Sequence, residues 1–132
     1  MSIKILIVDD DADLRSSLAS VLAPLFGVIE ASNGASALDI IKRERPRLVL
    51  LDVSMPGMSG LEVLEAARAL DPSTIVVMLT SQKEIDMACQ ALSLGAVEYV
   101  TKPFDADYIR GEVSRLLGAP KPSNDKPWRV IQ

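Results

Sequence analysis

Short aliphatic runs alternate with helically spaced apolar residues five times along this chain, and that alternation constrains the fold more than any other feature. Runs rich in β-branched or aliphatic residues, bounded by turn or polar residues, occupy 3–8, 28–31, 48–51, 75–79 and 97–100, and each predicts a buried strand. Between them the apolar positions fall at helical spacing: Leu14, Leu18, Val21, Leu22 and Leu25; Ala37, Leu38 and Ile41; Leu61, Leu64 and Ala67; Ile85, Ala88 and Leu92; then Ile109, Val113, Leu116 and Leu117. Asn33-Gly34, Pro46, Pro56-Gly57, Asp71-Pro72 and Gly95 punctuate the joins, Asp11 and Asp105 can cap the first and last helices, and Gly118 can end the last. Strands that alternate with helices must pair in parallel through right-handed crossovers, with both sheet faces covered. The expected architecture is a doubly wound α/β sandwich.

Composition sets outer limits. A chain of 132 residues, 48% apolar and 24% charged, suits one domain with an aliphatic core, since it holds only two Phe, two Tyr and one Trp. With 14 Lys and Arg against 18 Asp and Glu the net charge is −4, so no direct grip on nucleic acid is expected. The single cysteine, Cys89, cannot form an internal disulfide. Its place beside Ile85, Ala88 and Leu92 predicts a packed, structural thiol. No apolar run approaches membrane-spanning length, and a cytoplasmic protein with no membrane role is expected. The domain should occupy 1–118. Residues 119–132, rich in proline and polar residues, read as a linker or tail; Trp128, Val130 and Ile131 either belong to it or begin an output domain or an anchor onto one.

Sites on open parallel sheets form outside the carboxyl ends of the strands. That rule selects Asp9, Asp10 and Asp11 after the first strand, Asp52 after the third, Thr80 and Ser81 after the fourth, and Thr101, Lys102 and Pro103 after the fifth. Asp11 reads as a helix cap, and Asp9 and Asp10, taken singly, could be caps or solvated turn residues. Asp52 ends the run Leu48-Val49-Leu50-Leu51, where an ionised residue is rarely placed without a partner. Two like charges at about 4 Å repel by ~4 kcal/mol at an effective dielectric near 20. Lys102 alone cannot balance three carboxylates. Carboxylates and water are the ligands Mg2+ prefers, and phosphate oxygens are its usual further partners.

The runs Ile5-Leu6-Ile7-Val8-Asp9-Asp10-Asp11, Leu50-Leu51-Asp52-Val53-Ser54-Met55-Pro56-Gly57-Met58-Ser59-Gly60, Leu79-Thr80-Ser81 and Gly95-Ala96-Val97-Glu98-Tyr99-Val100-Thr101-Lys102-Pro103-Phe104 resemble the receiver domains of bacterial two-component response regulators. The resemblance covers residues 3 to about 117. It implies a flavodoxin-like (βα)5 sandwich with strand order 2-1-3-4-5, and a phosphoacceptor role for Asp52. It further implies Mg2+, with Mn2+ as an acceptable substitute, bound directly by Asp10, through water by Asp9, and by Asp52 and the backbone carbonyl of Ser54.

By the same resemblance Lys102 pairs with a phosphoryl oxygen, Thr80 donates to another, and Tyr99 turns inward when Thr80 does. Ser54 and Gln82 border the attacking water and tune the phosphoryl lifetime, and the Lys102–Pro103 bond is cis. The implied partners are a sensor histidine kinase or a histidine phosphotransfer protein, and an output domain or protein met through the fourth helix, fifth strand and fifth helix. A phosphorylation-dependent dimer is also implied, although Val97 stands where dimerising winged-helix regulators often carry an acidic residue. Such a protein is a phosphoacceptor with self-catalysed transfer and dephosphorylation, not an enzyme in the usual sense. Two other classes share part of the pattern. An unphosphorylated receiver-like binding module would keep the fold without the chemistry, and an aspartate-nucleophile phosphatase would need a second acid where Ser54 stands. Met55 and Met58 read as gap-fillers beside the site loop.

Overall fold

The computed structural model describes residues 3–118, so the Pro-rich stretch and Trp128 lie outside the described residues. Five strands and five helices alternate: β1 (Lys4–Val8), α1 (Ala12–Leu22), β2 (Gly27–Ala31), α2 (Gly34–Glu44), β3 (Leu48–Asp52), α3 (Gly60–Leu70), β4 (Ile75–Thr80), α4 (Ile85–Ser93), β5 (Glu98–Thr101) and α5 (Ala106–Leu117). The sheet order is β2-β1-β3-β4-β5 and every pairing is parallel. This is the flavodoxin-like sandwich.

Successive strand residues point to opposite faces, so each central strand feeds two cores. On one side Ile5, Ile7, Leu48, Leu50, Val77 and Leu79 pack against Leu18 and Leu22 of α1 and Ile109 and Val113 of α5. On the other, Leu6, Val8, Val49, Leu51, Val76 and Met78 meet α2, α3 and α4 through Ile41, Leu64 and Ala88. Met55 is buried and Met58 half-buried against this second core, as gap-fillers should be.

Four of the five described helices carry a side-chain cap on their first turn. Asp11 accepts from the amides of Asp13 and Leu14, Asn33 from Ser36, and Asp105 from Asp107, while Ser59 and Glu62 form a reciprocal capping box. Helix α4 has none; it follows a single 3-10 turn at Gln82–Glu84 that the sequence pattern did not reveal. Gly118 ends α5 in the left-handed conformation, as expected.

Four apolar placements differ from expectation, one being Val97, expected inside the buried fifth strand but lying just before it and 48% exposed. Leu25 lies beyond α1 and is 47% exposed, because Pro24 has no amide to continue the helix and the chain turns so that Phe26 is buried instead. In α4 the buried residues are Ala88 and Ala91, while Leu92 is exposed. Cys89, one position along from Ala88, is exposed too. The packed structural thiol expected at Cys89 is therefore corrected: small residues face the sheet in α4, a choice that ranking by hydrophobicity misses.

Gly60 begins α3 directly under the end of β3, its amide donating to the Val53 carbonyl at 2.8 Å. A Cβ there would overlap the Asp52 carbonyl oxygen and come within 2.8 Å of the Val53 Cα. These are backbone atoms that cannot swing aside. Gly60→Ala should destabilise the fold by about 2–3 kcal/mol in urea melts; a loss below about 0.5 kcal/mol would mean that α3 can back away from the strand.

Candidate functional site

Register brings the acidic residues together. Val8 is level with Leu51, so one step further along the two central strands puts Asp9 beside Asp52. Both carboxylates are removed from water, Asp9 being fully buried and Asp52 only 4% exposed. Asp10 is exposed, yet it offers a carboxylate oxygen within 4.8 Å of those of Asp9 and Asp52. Asp11 takes no part in this cluster and caps α1, as expected.

Lys102 enters from the end of β5. Its Nζ lies 2.8 Å from Asp9 Oδ2 and 3.3 Å from Asp52 Oδ1. The Lys102 amide donates to the Thr80 carbonyl at 2.6 Å, and the Lys102–Pro103 bond is cis, in accord with expectation. Asp9 Oδ1 accepts from the Asp11 amide at 2.9 Å, and Asp52 Oδ1 accepts from the Ser54 amide at 3.4 Å.

One ammonium against three carboxylates leaves the rim acidic. Burial pushes the Asp52 carboxyl up to about 6, and the charge of Asp9 pushes the same way, against Lys102 and the Ser54 amide. For Lys102, burial works against the charged form, but the hydrogen bond to Asp9 and the charges of Asp52 and Asp9 outweigh it and hold the ammonium above its ordinary value. A hard, oxygen-rich donor set carrying excess negative charge fits a divalent cation such as Mg2+.

Residues 5–114 match the family described as Response regulator receiver domain. The chain belongs to that family. It is 42% identical over 118 residues to Sporulation initiation phosphotransferase F of Bacillus subtilis (strain 168), covering 89% of this chain and 95% of that protein. It is 38% identical to Regulatory protein AtoC of Escherichia coli (strain K12), covering 86% of this chain and 25% of that protein. Among solved structures, the receiver domain of NtrX from Brucella abortus has a TM-score of 0.82 and 34% identity, covering 86% of this chain and 98% of that one.

The other residues singled out in the sequence lie on β4 and β5 and in the turns that follow β3 and β4. Thr80 is fully buried, and its hydroxyl donates to the Ser81 carbonyl at 3.1 Å. Tyr99 is half-buried against the same core as Met78, with which it is level across the β4–β5 pairing. Thr80, two residues after Met78, leaves the sheet on that same face. Ser54 and Gln82 are both exposed at the rim. Among the described residues no helix is long and apolar enough to cross a membrane.

Sequence reasoning missed Arg15. It sits one turn into α1, where Nη1 donates to the Asp9 backbone carbonyl at 2.6 Å and Nε pairs with Glu30 at 3.1 Å. A cation that close to a helix N-terminus opposes the helix dipole, and this was the available signal.

The raised Asp52 carboxyl has a stability consequence in chelated, metal-free protein. In the unfolded chain Asp ionises near 3.9, whereas the folded carboxyl holds its proton until about 6. Between those values the folded state binds more protons, so stability falls as pH rises. At neutral pH the penalty is on the order of 3 kcal/mol. Asp52→Asn should therefore be more stable than the parent at pH 7 in urea melts with chelator, with the difference shrinking towards pH 4. A constant difference across that window would reject the raised value.

Proposed function

We propose that this receiver accepts a phosphoryl group on Asp52 from a phosphohistidine of a sensor histidine kinase or a histidine phosphotransfer protein, in a reaction that requires Mg2+. The observation that carries this reading is the meeting of Asp52 with Lys102, Asp9 and Asp10 at one rim, from three separate strand ends. Asp9, Asp10, Asp52 and the Ser54 carbonyl would hold the cation, with Mn2+ as a substitute. When bound, the cation supplies charge neutralisation for the phosphoryl oxygens.

An oxygen of the Asp52 carboxylate attacks phosphorus in line as the P–N bond to the donor imidazole breaks, and the imidazole leaves with the bonding pair. Lys102, already 3.3 Å from Asp52, neutralises an equatorial oxygen during transfer. The product carries roughly two negative charges and new acceptor oxygens. Thr80 can then exchange its bond to the Ser81 carbonyl for one to the phosphoryl group. Because Thr80 and Tyr99 share a sheet face, the move leaves room for Tyr99 to turn inward, which alters the α4-β5-α5 surface offered to an output partner or domain. Ser54 and Gln82 border the path of the hydrolytic water. On the same reading the domain occupies residues 1–118, 119–132 form a tail or linker, and the setting is the cytoplasm.

Ser54 offers a hydroxyl where an aspartate phosphatase needs a second acid, so steady turnover of phosphate monoesters is not expected. Incubation with Mg2+ and a small acyl phosphate should add one phosphoryl group by intact mass, and either chelator or Asp52→Asn should abolish the addition. Lys102→Ala should slow it by about a hundredfold. Modification that persists in Asp52→Asn would reject the assignment. Thr80→Ala should still take up the group while the Tyr99 ring signals in NMR stay at their unmodified positions; ring signals that shift as in the parent would uncouple Thr80 from Tyr99.

A further inference from the structure

Each polar atom of Asp9 is engaged. The amide donates to the Ala31 carbonyl at 3.2 Å, Oδ1 accepts from the Asp11 amide at 2.9 Å, Oδ2 pairs with Lys102 at 2.8 Å, and the backbone carbonyl accepts from Arg15 Nη1 at 2.6 Å. The last of these acts on the chain and not on the carboxylate. It fixes the plane of the peptide that joins Asp9 to Asp10.

Arg15 is itself held. Its side chain is 17% exposed, and a second nitrogen, Nε, pairs with Glu30 at 3.1 Å on the penultimate residue of edge strand β2. A guanidinium presents its donors in a rigid plane, so two partners on two nitrogens define its orientation. Asp10 lacks such support: it is exposed, and among the described residues its carboxylate has no hydrogen-bonding or ion-pair partner. Its place within 4.8 Å of the Asp9 and Asp52 oxygens therefore depends on the backbone that carries it.

We propose that Arg15, braced by Glu30, is a positioning residue for the divalent-cation site, acting through the Asp9–Asp10 peptide to aim the Asp10 carboxylate. This rests on the cation-dependent reading above. Charge and geometry pull in opposite directions here, which makes the role testable. A guanidinium beside a cation site repels the cation, so a residue acting through charge alone would strengthen binding when removed. A positioning residue weakens it.

The experiment is Mg2+ titration by calorimetry of the full chain, with thermal melts in chelator to show that each variant is folded. Arg15→Gln should bind Mg2+ about tenfold more weakly than the parent. Arg15→Lys should recover only part of that loss, since it restores the charge without the planar fork. Glu30→Gln should have no further effect in the Arg15→Gln background, because Glu30 acts through Arg15. Should Arg15→Gln fail to fold, Arg15→Lys carries the test alone. Parent-like or tighter Mg2+ binding by Arg15→Gln, or full recovery in Arg15→Lys, would overturn the positioning role and leave the proposed function standing. A parent protein that binds no Mg2+ at all would overturn both.

Discussion

Two carboxylates and an ammonium group, brought out of water at one rim of a parallel sheet, set the terms for the rest of the molecule. Removing a charge from solvent without a partner costs several kcal/mol, and Lys102 answers only part of that for Asp9 and Asp52. The strands supply the compensation. In β3 every residue from Leu48 to Asp52 is buried, and each buried leucine contributes about 1.5–3 kcal/mol. The apolar run and the acid at its end are thus one device, in which surplus burial along the strand holds an unfavourable group at the tip.

Strand order decides which acids meet. With β1 and β3 adjacent in the middle of the sheet, the loops leaving them face each other across one strand spacing. Lys102 arrives from β5, three strands from β1, and only a long side chain can reach past the ends of β4 and β3 to Asp9. A shorter cation at that position would leave the buried carboxylates unbalanced.

Much of this was legible in the sequence. Strand ends were within one residue of their observed limits because β-branched runs in a parallel sheet are continuous and stop at polar residues, as at Val8-Asp9 and Leu51-Asp52. The caps at Asp11 and Asp105 were legible because a short acceptor side chain before an apolar-periodic stretch has few other uses. Leu25, Leu92 and Cys89 were misplaced for a common reason: helical spacing alone does not say where a helix stops or which of two neighbouring stripes faces inward. Arg15 was harder to find: a cation misplaced against the helix dipole marks it as unusual, but neither its backbone partner at Asp9 nor its ion pair with Glu30 on β2 follows from local spacing. The rotamer of Thr80 was equally out of reach, since its hydroxyl bonds to the carbonyl of the next residue, which no sequence pattern marks.

Helix α4 differs from its neighbours in a way that bears on mechanics. It is nine residues long, begins without a side-chain cap, and fully buries only the small side chains of Ala88 and Ala91, with Met87 half-buried beside them. Leucine and isoleucine interlock like gear teeth and resist sliding; methyl groups form a smoother bearing. An uncapped start and shallow teeth beneath it give α4 a weaker anchorage than the capped helices beside it. The most lightly anchored of the described helices thus follows closely on Thr80, beside central strands whose side chains are packed on both faces.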